Sequence, residues 1–136
     1  MRRFLFAMAL ALGTSATAGG IMGTDAPSRI PVPARDFTAT VEDTSGTVVT
    51  VQKASWNGEV FLYGNLGEAQ VTIPFERITE ARVEPHPDKD KVTVMAVLRE
   101  GEPVTITVDH DTPCFGATEF GNYKISIDRV RRIAFP

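Results

Sequence analysis

The sequence predicts an all-β protein of about ten short antiparallel strands. Three observations indicate this class: apolar and polar residues alternate along most of the chain after residue 36, turn signals recur between these stretches, and no ten-residue stretch carries the apolar stripe of a helix. The strands fall into two similar five-strand halves, roughly residues 37–84 and 90–136. This predicts a sandwich with one core, or two paired small barrels. We favour the single core, because a fifty-residue half buries little apolar surface by itself.

A repeated segment supports the division into halves. Residues 73–83 and 125–135 align without a gap and share an acid-arginine-aliphatic centre, Glu76-Arg77-Ile78 in one copy and Asp128-Arg129-Val130 in the other. Apolar residues match at five positions in all, the aliphatic residue of this centre included. We interpret the segment as one supersecondary unit that is used twice and closes each half.

The first residues read as an export signal. Arg2 and Arg3 precede an apolar run that is too short to span a membrane, and Ala16-Thr17-Ala18 is typical of a cleavage site. We therefore expect residues 1–18 to be removed, the protein to be periplasmic or secreted, and no membrane span to remain. An uncleaved anchor is the alternative. Residues 19–36 are rich in Pro and Gly and predict a linker or a loosely docked arm.

Five strands are expected in the first half. Phe37, Ala39 and Val41 alternate with polar residues, and β-branched residues follow. Asn57-Gly58 predicts a tight hairpin. Pro74 ends the fourth strand, and Phe75–Arg77 suit one tight helical turn before the fifth. The expected strands lie near residues 37–42, 47–56, 59–63, 70–73 and 78–83.

Five further strands are expected after the polar loop at residues 86–90. A second polar loop at residues 109–113 and a turn at Gly121-Asn122 separate them. The expected strands lie near residues 92–98, 104–108, 114–120, 123–127 and 130–135.

Two resemblances follow from these segments. The order of four strands, a helical turn and a last strand resembles SH3-like and Sm-like small barrels, in which a short 3₁₀ turn precedes the last strand. Residues 61–67, 71–78 and 116–135 are similar to uncharacterised small exported proteins of the deltaproteobacterial type. That resemblance covers most of residues 46–135. It implies a lineage and an exported compartment, but it carries over no activity and no catalytic residue.

Charge and cysteine content exclude several classes of function. The formal net charge is −3, and loss of the predicted signal leaves 12 basic and 17 acidic residues, a net charge of −5. Such a chain lacks the basic face that nucleic acid requires and the polybasic patch that anionic lipid requires. Cys114 is the single cysteine, so we expect no intramolecular disulfide.

The two polar loops hold the candidate metal ligands. The candidates are His86, Asp88, His110, Asp111 and Cys114, a set that would suit zinc or copper if the loops approach each other. Their spacing matches no zinc signature, and solvated loops are the alternative. No catalytic or cofactor motif is present, so we expect no enzyme and no cofactor.

Two groups of residues are candidates for binding a partner protein. Trp56 and Tyr63, beside the Asn57-Gly58 hairpin, would form an exposed aromatic platform or, alternatively, cap the core. Arg129, Arg131 and Arg132 form a small basic spot. We expect a non-enzymatic exported domain that binds another envelope protein, and an exposed sheet edge offers one route for this binding. The alternative is a metal- or small-ligand-binding periplasmic protein that uses the His86 and His110 loops. The oligomeric state is left open.

Overall fold

A computed structural model describes residues 26–136 and confirms the all-β class. The predicted signal peptide lies outside these residues. Two 3₁₀ turns, Phe75–Arg77 and Ile127–Arg129, precede the fifth and tenth strands, as the repeat predicts. The ten strands are β1 (Ala39–Asp43), β2 (Val48–Trp56), β3 (Phe61–Leu66), β4 (Ala69–Pro74), β5 (Ile78–Pro85), β6 (Lys91–Leu98), β7 (Val104–Asp109), β8 (Pro113–Thr118), β9 (Gly121–Ser126) and β10 (Val130–Ala134).

All ten strands belong to one antiparallel sheet, which curls into a half-barrel around its buried face. The strand order is β9-β8-β2-β1-β10-β5-β6-β7-β3-β4. A two-sheet sandwich and two barrels made from separate halves of the chain are not what the structure shows. Strands β1 and β2 of the first half lie between β8 and β10 of the second, so the halves are interleaved.

The repeated segments meet at the centre of the sheet. Strands β5 and β10 pair with each other, and Ala81 lies opposite Ile133, its own counterpart in the repeat. Arg82 lies opposite Arg132, and Glu80 lies opposite Ala134. These two pairs are equivalent, because in the repeat Arg82 corresponds to Ala134 and Glu80 corresponds to Arg132. Strands that correspond in the repeat therefore lie at equal distances from the two edges of the sheet. The expectation that each segment closes its own half is wrong, because the two segments pair with each other at the centre of one sheet.

Strand β2 bends so that its two ends have different neighbours. Residues 48–51 pair with β1, whereas residues 52–56 pair with β8. Lys53 sits at the bend with φ +53°, and its N–H donates to Asp36 Oδ1 at 2.8 Å. A lysine in this left-handed conformation requires such local support.

Gly64 and Gly116 occupy the same repeat position and lie where strands approach closely. A Cβ on Gly116 would lie 2.5 Å from Val51 Cβ, and a Cβ on Gly64 would lie 2.6 Å from the Thr107 carbonyl oxygen. Both glycines therefore permit close packing of the sheet.

The core lies on one face of the sheet. Phe75, from the first 3₁₀ turn, packs edge-on to Phe37 at 5.4 Å and against Phe135 at 4.7 Å between ring centroids. Ile127, from the second turn, is fully buried. Side chains of this size contribute about 1.5–3 kcal/mol each when buried. The largest fully buried residues are Trp56, Leu62, Ile78, Ile106, Ile127, Val51, Val94 and Val130.

Candidate functional site

The sheet has two edges, β4 and β9, which are counterparts in the repeat. The gapless alignment, when it is extended by one residue towards the N-terminus, places Thr72 where β9 has Lys124. Strand β9 carries this lysine, and its Asn122 side-chain amide donates to the carbonyl oxygen of Pro27 at 3.0 Å. Strand β4, with the sequence AQVTIP, has no charged residue, and β3 is its one neighbour among residues 26–136. Charges and covering segments are the usual protection of sheet edges. The protection therefore differs between the two edges.

Two residues of β4 direct their backbone groups outward. A two-residue loop joins β3 to β4, with Gly67 at φ +63°, and Leu66 lies opposite Ala69 on either side of it. Such a flanking pair is hydrogen-bonded, and hydrogen-bonded pairs alternate along an antiparallel ladder. Gln70 and Thr72 therefore each present one N–H and one C=O away from β3. These four groups form the open edge.

A groove of about 540 Å³ borders this edge. Phe61 and Tyr63 line it with half-buried rings, and Gln70 and Thr72 line it from the edge strand. The Tyr63 hydroxyl accepts a hydrogen bond from Asn57 Nδ2 at 2.8 Å. Aromatic rings beside amide and hydroxyl groups can hold the side chains of an extended peptide.

The groove has one charged lining residue, Asp109. Lys91 Nζ donates to Asp109 Oδ1 at 2.5 Å, and this hydrogen bond raises the pKa of the lysine. The one charged lining residue of the groove is therefore already paired with a lysine.

The predicted aromatic platform is only partly present. Trp56 is 1% exposed and belongs to the core, so its assignment to a surface platform is wrong. Tyr63 packs edge-on against Trp56 at 6.2 Å and is half-buried in the groove wall. Tyr63 therefore remains a candidate for partner binding, together with Phe61.

The loops that carry the predicted metal ligands do approach each other, because the His110 N–H donates to the Asp90 carbonyl at 3.0 Å. Their side chains are used locally, however. His86 Nδ1 accepts from the Asp88 N–H at 2.9 Å, and His110 Nδ1 bonds Asp128 Oδ2 at 3.2 Å. This hydrogen bond raises the pKa of His110.

Cys114 is buried, and burial raises its pKa to about 12. The thiol is therefore protonated and a poor metal ligand. Among residues 26–136, no group of three or more His, Cys, Asp or Glu side chains is close enough together to hold a metal ion. This includes the predicted ligands His86, Asp88, His110 and Asp111.

The predicted basic spot is balanced by acids. Arg131 Nη1 lies 3.4 Å from Glu42 Oε2, and Arg132 Nη1 lies 3.9 Å from Glu80 Oε1. Arg129 is exposed and lines the same open groove as Asp43. The three arginines are on the surface, and two of them are paired with acids.

The proline-rich arm touches the domain beyond its contact with Asn122. Pro31 lies against Gly58, where an added Cβ would meet the proline Cβ at 3.2 Å, while Val32 is 88% exposed.

Sequence reasoning did not single out Gln70 and Thr72. The usable signal was the repeat, which has lysine in one copy and threonine in the other.

No helix among residues 26–136 is long and apolar enough to cross a membrane. No curated protein and no solved structure matches the chain significantly. Residues 33–136 match the model of one protein family, whose description is "Uncharacterised protein". The chain belongs to this family.

Proposed function

We propose that this chain is an exported, non-enzymatic β domain that binds another envelope protein by pairing an extended segment of that protein with β4. The observation that carries the proposal is the difference between the two edges. Both edge strands direct backbone groups outward, but β9 has Lys124 and the arm beside it, whereas β4 has no charged residue. Strand addition uses such groups directly.

The magnitudes indicate how the groove contributes. A hydrogen bond contributes about 0.5–1.5 kcal/mol net, so the four outward groups of Gln70 and Thr72 supply a few kcal/mol. Micromolar binding requires about 8 kcal/mol. Side chains of the partner that enter the groove beside Phe61 and Tyr63 would supply much of the remainder.

The exported location rests on the predicted signal peptide, and the non-enzymatic role rests on the sequence. We also propose a relation to exported deltaproteobacterial proteins and a resemblance of the strand order of each half of the chain to SH3-like and Sm-like small barrels. The 3₁₀ turns before β5 and β10 support the second.

A photo-cross-linking residue placed at Gln70 in cells tests the proposal. We expect a covalent adduct with a different exported protein, and loss of that adduct when Thr72→Pro is added. Proline there removes an outward N–H, and edge strands tolerate that loss. A cross-linker at Asn122, the counterpart on β9, is the matched control. Equal adducts from both positions, or none from Gln70, would overturn the proposal, provided that the variants unfold at the wild-type temperature.

A further inference from the structure

We infer that a second copy of this chain can occupy β4, so that the two β4 strands pair antiparallel about a two-fold axis through Val71. This inference rests on the proposed function, because it names one occupant of the same edge. It is carried by the self-complementarity of the strand in both its backbone and its side chains.

The backbone register follows from the outward groups. When Val71 lies opposite Val71 of the second copy, Gln70 lies opposite Thr72 of the second copy, and Thr72 opposite Gln70. These two pairs are the ones whose N–H and C=O groups point outward, so each pair exchanges two hydrogen bonds. Every outward group of the two residues is then satisfied. A shift by one residue would leave these groups without partners.

The side chains fit the same register. Gln70 and Thr72 face the groove, so each cross-strand pair joins an amide to a hydroxyl. The two Val71 residues meet at a non-hydrogen-bonded position, where side chains approach most closely and β-branched pairs are favourable. No charged side chain opposes another. The two grooves then lie side by side on one face of the joined sheet.

The same pairing is less suited to β9. Lys124 would have to lie in the new interface, and the Asn122 amide already binds the arm. Lysine on an edge strand is a common means of preventing strand pairing. Self-pairing through β4 alone gives a closed dimer, whereas pairing through both edges would give an open chain of molecules.

The expected dimer is weak. A single edge of six residues buries less surface than the ~1,200 Å² at the lower end of standard interfaces. We therefore expect micromolar or weaker affinity, a strong dependence on protein concentration, and displacement by a partner segment that also fills the groove.

Sedimentation equilibrium of the purified protein, up to millimolar concentration, tests the register. In Gln70→Lys/Thr72→Lys each lysine faces a lysine of the second copy, and we expect the dimer Kd to rise at least about tenfold. Gln70→Glu/Thr72→Glu should be equally weakened, and an equimolar mixture of the two variants should form a mixed dimer. Asn122→Lys on β9 is the control and should leave the Kd unchanged.

Three outcomes would overturn the inference. The first is a wild-type protein that stays monomeric at every concentration. The proposed binding of a different protein would still be tested by the Gln70 cross-link, which is independent of self-association. A dimer that the lysine pair does not weaken must use another surface. Failure of the mixed variants to associate would refute the register even if the wild type dimerises.

Discussion

Replacing Gly116 by alanine tests the close approach of β8 and β2. The added Cβ would lie 2.5 Å from Val51 Cβ and 2.6 Å from one of the Val51 methyl carbons. Carbon atoms prefer separations of about 3.5–4.0 Å, so one strand must shift by about 1 Å. Since Val51 Cβ is bonded to the backbone, a change of rotamer cannot relieve the contact.

The expected cost follows from two opposing terms. Overpacking of a core costs about 1–3 kcal/mol, and a clash fixed to the backbone belongs at the upper end. Alanine also reduces the entropy of the unfolded chain, which returns about 0.4–1 kcal/mol. We therefore expect Gly116→Ala to lower the free energy of unfolding by about 2 kcal/mol, with a similar loss for Gly64→Ala.

Urea denaturation followed by tryptophan fluorescence measures this change, because Trp56 is the single tryptophan and is buried. The midpoint should fall while the slope stays constant. The loss should be smaller in a Val51→Ala background, since two of the three contacts are then removed. A loss below about 0.5 kcal/mol, the usual range for surface substitutions, or an equal loss in both backgrounds, would refute the reasoning.

Three further predictions concern the core, the thiol and the His110 pair. Phe75→Ala should lower the free energy of unfolding by about 3–5 kcal/mol in urea, whereas Phe120→Ala, at a residue 81% exposed, should change it by less than about 0.5 kcal/mol; equal effects would contradict the packing described. Cys114 should react with a thiol reagent only when the protein is unfolded, because burial raises its pKa to about 12, and rapid labelling under native conditions would show that it is accessible. The hydrogen bond to Asp128 raises the pKa of His110, so protonated His110 should stabilise the folded protein. This contribution should be complete below about pH 6.5 and be lost as pH rises through the folded-state pKa of His110. The unfolding temperature measured against pH should show this loss in the wild type and not in His110→Asn.

Local features of the fold could be predicted from the sequence, but the pairing of strands could not. The alternation of side chains, Asn57-Gly58 and the repeat located the strands and both 3₁₀ turns, because these depend on neighbouring residues. Alternation does not say which strand lies beside which. The interleaving of the halves arises from contacts between distant residues, such as Val130 beside Asp43.

The misplacement of Trp56 has a local cause. An unbent half-buried strand would alternate buried and exposed residues through its last position. The bend at Lys53 ends this alternation, and Ala54, Ser55 and Trp56 are all buried. The candidate metal ligands are not grouped for another reason. The two loops approach each other through their backbones, but this does not determine where their side chains point, and His110 is directed towards Asp128. The open edge at β4 was predictable only as a general property of an unclosed sheet.

The interleaved order also constrains how the chain can fold. A protein made from its N-terminus completes β1 and β2 long before β8 and β10, yet those late strands are their neighbours in the sheet. Both edges of the β1–β2 hairpin therefore stay unpaired until almost the whole chain has been synthesised. Such high contact order slows folding and lengthens exposure to aggregation. Truncation of β10 should thus leave β1, far from the cut in sequence, with one of its two neighbours missing.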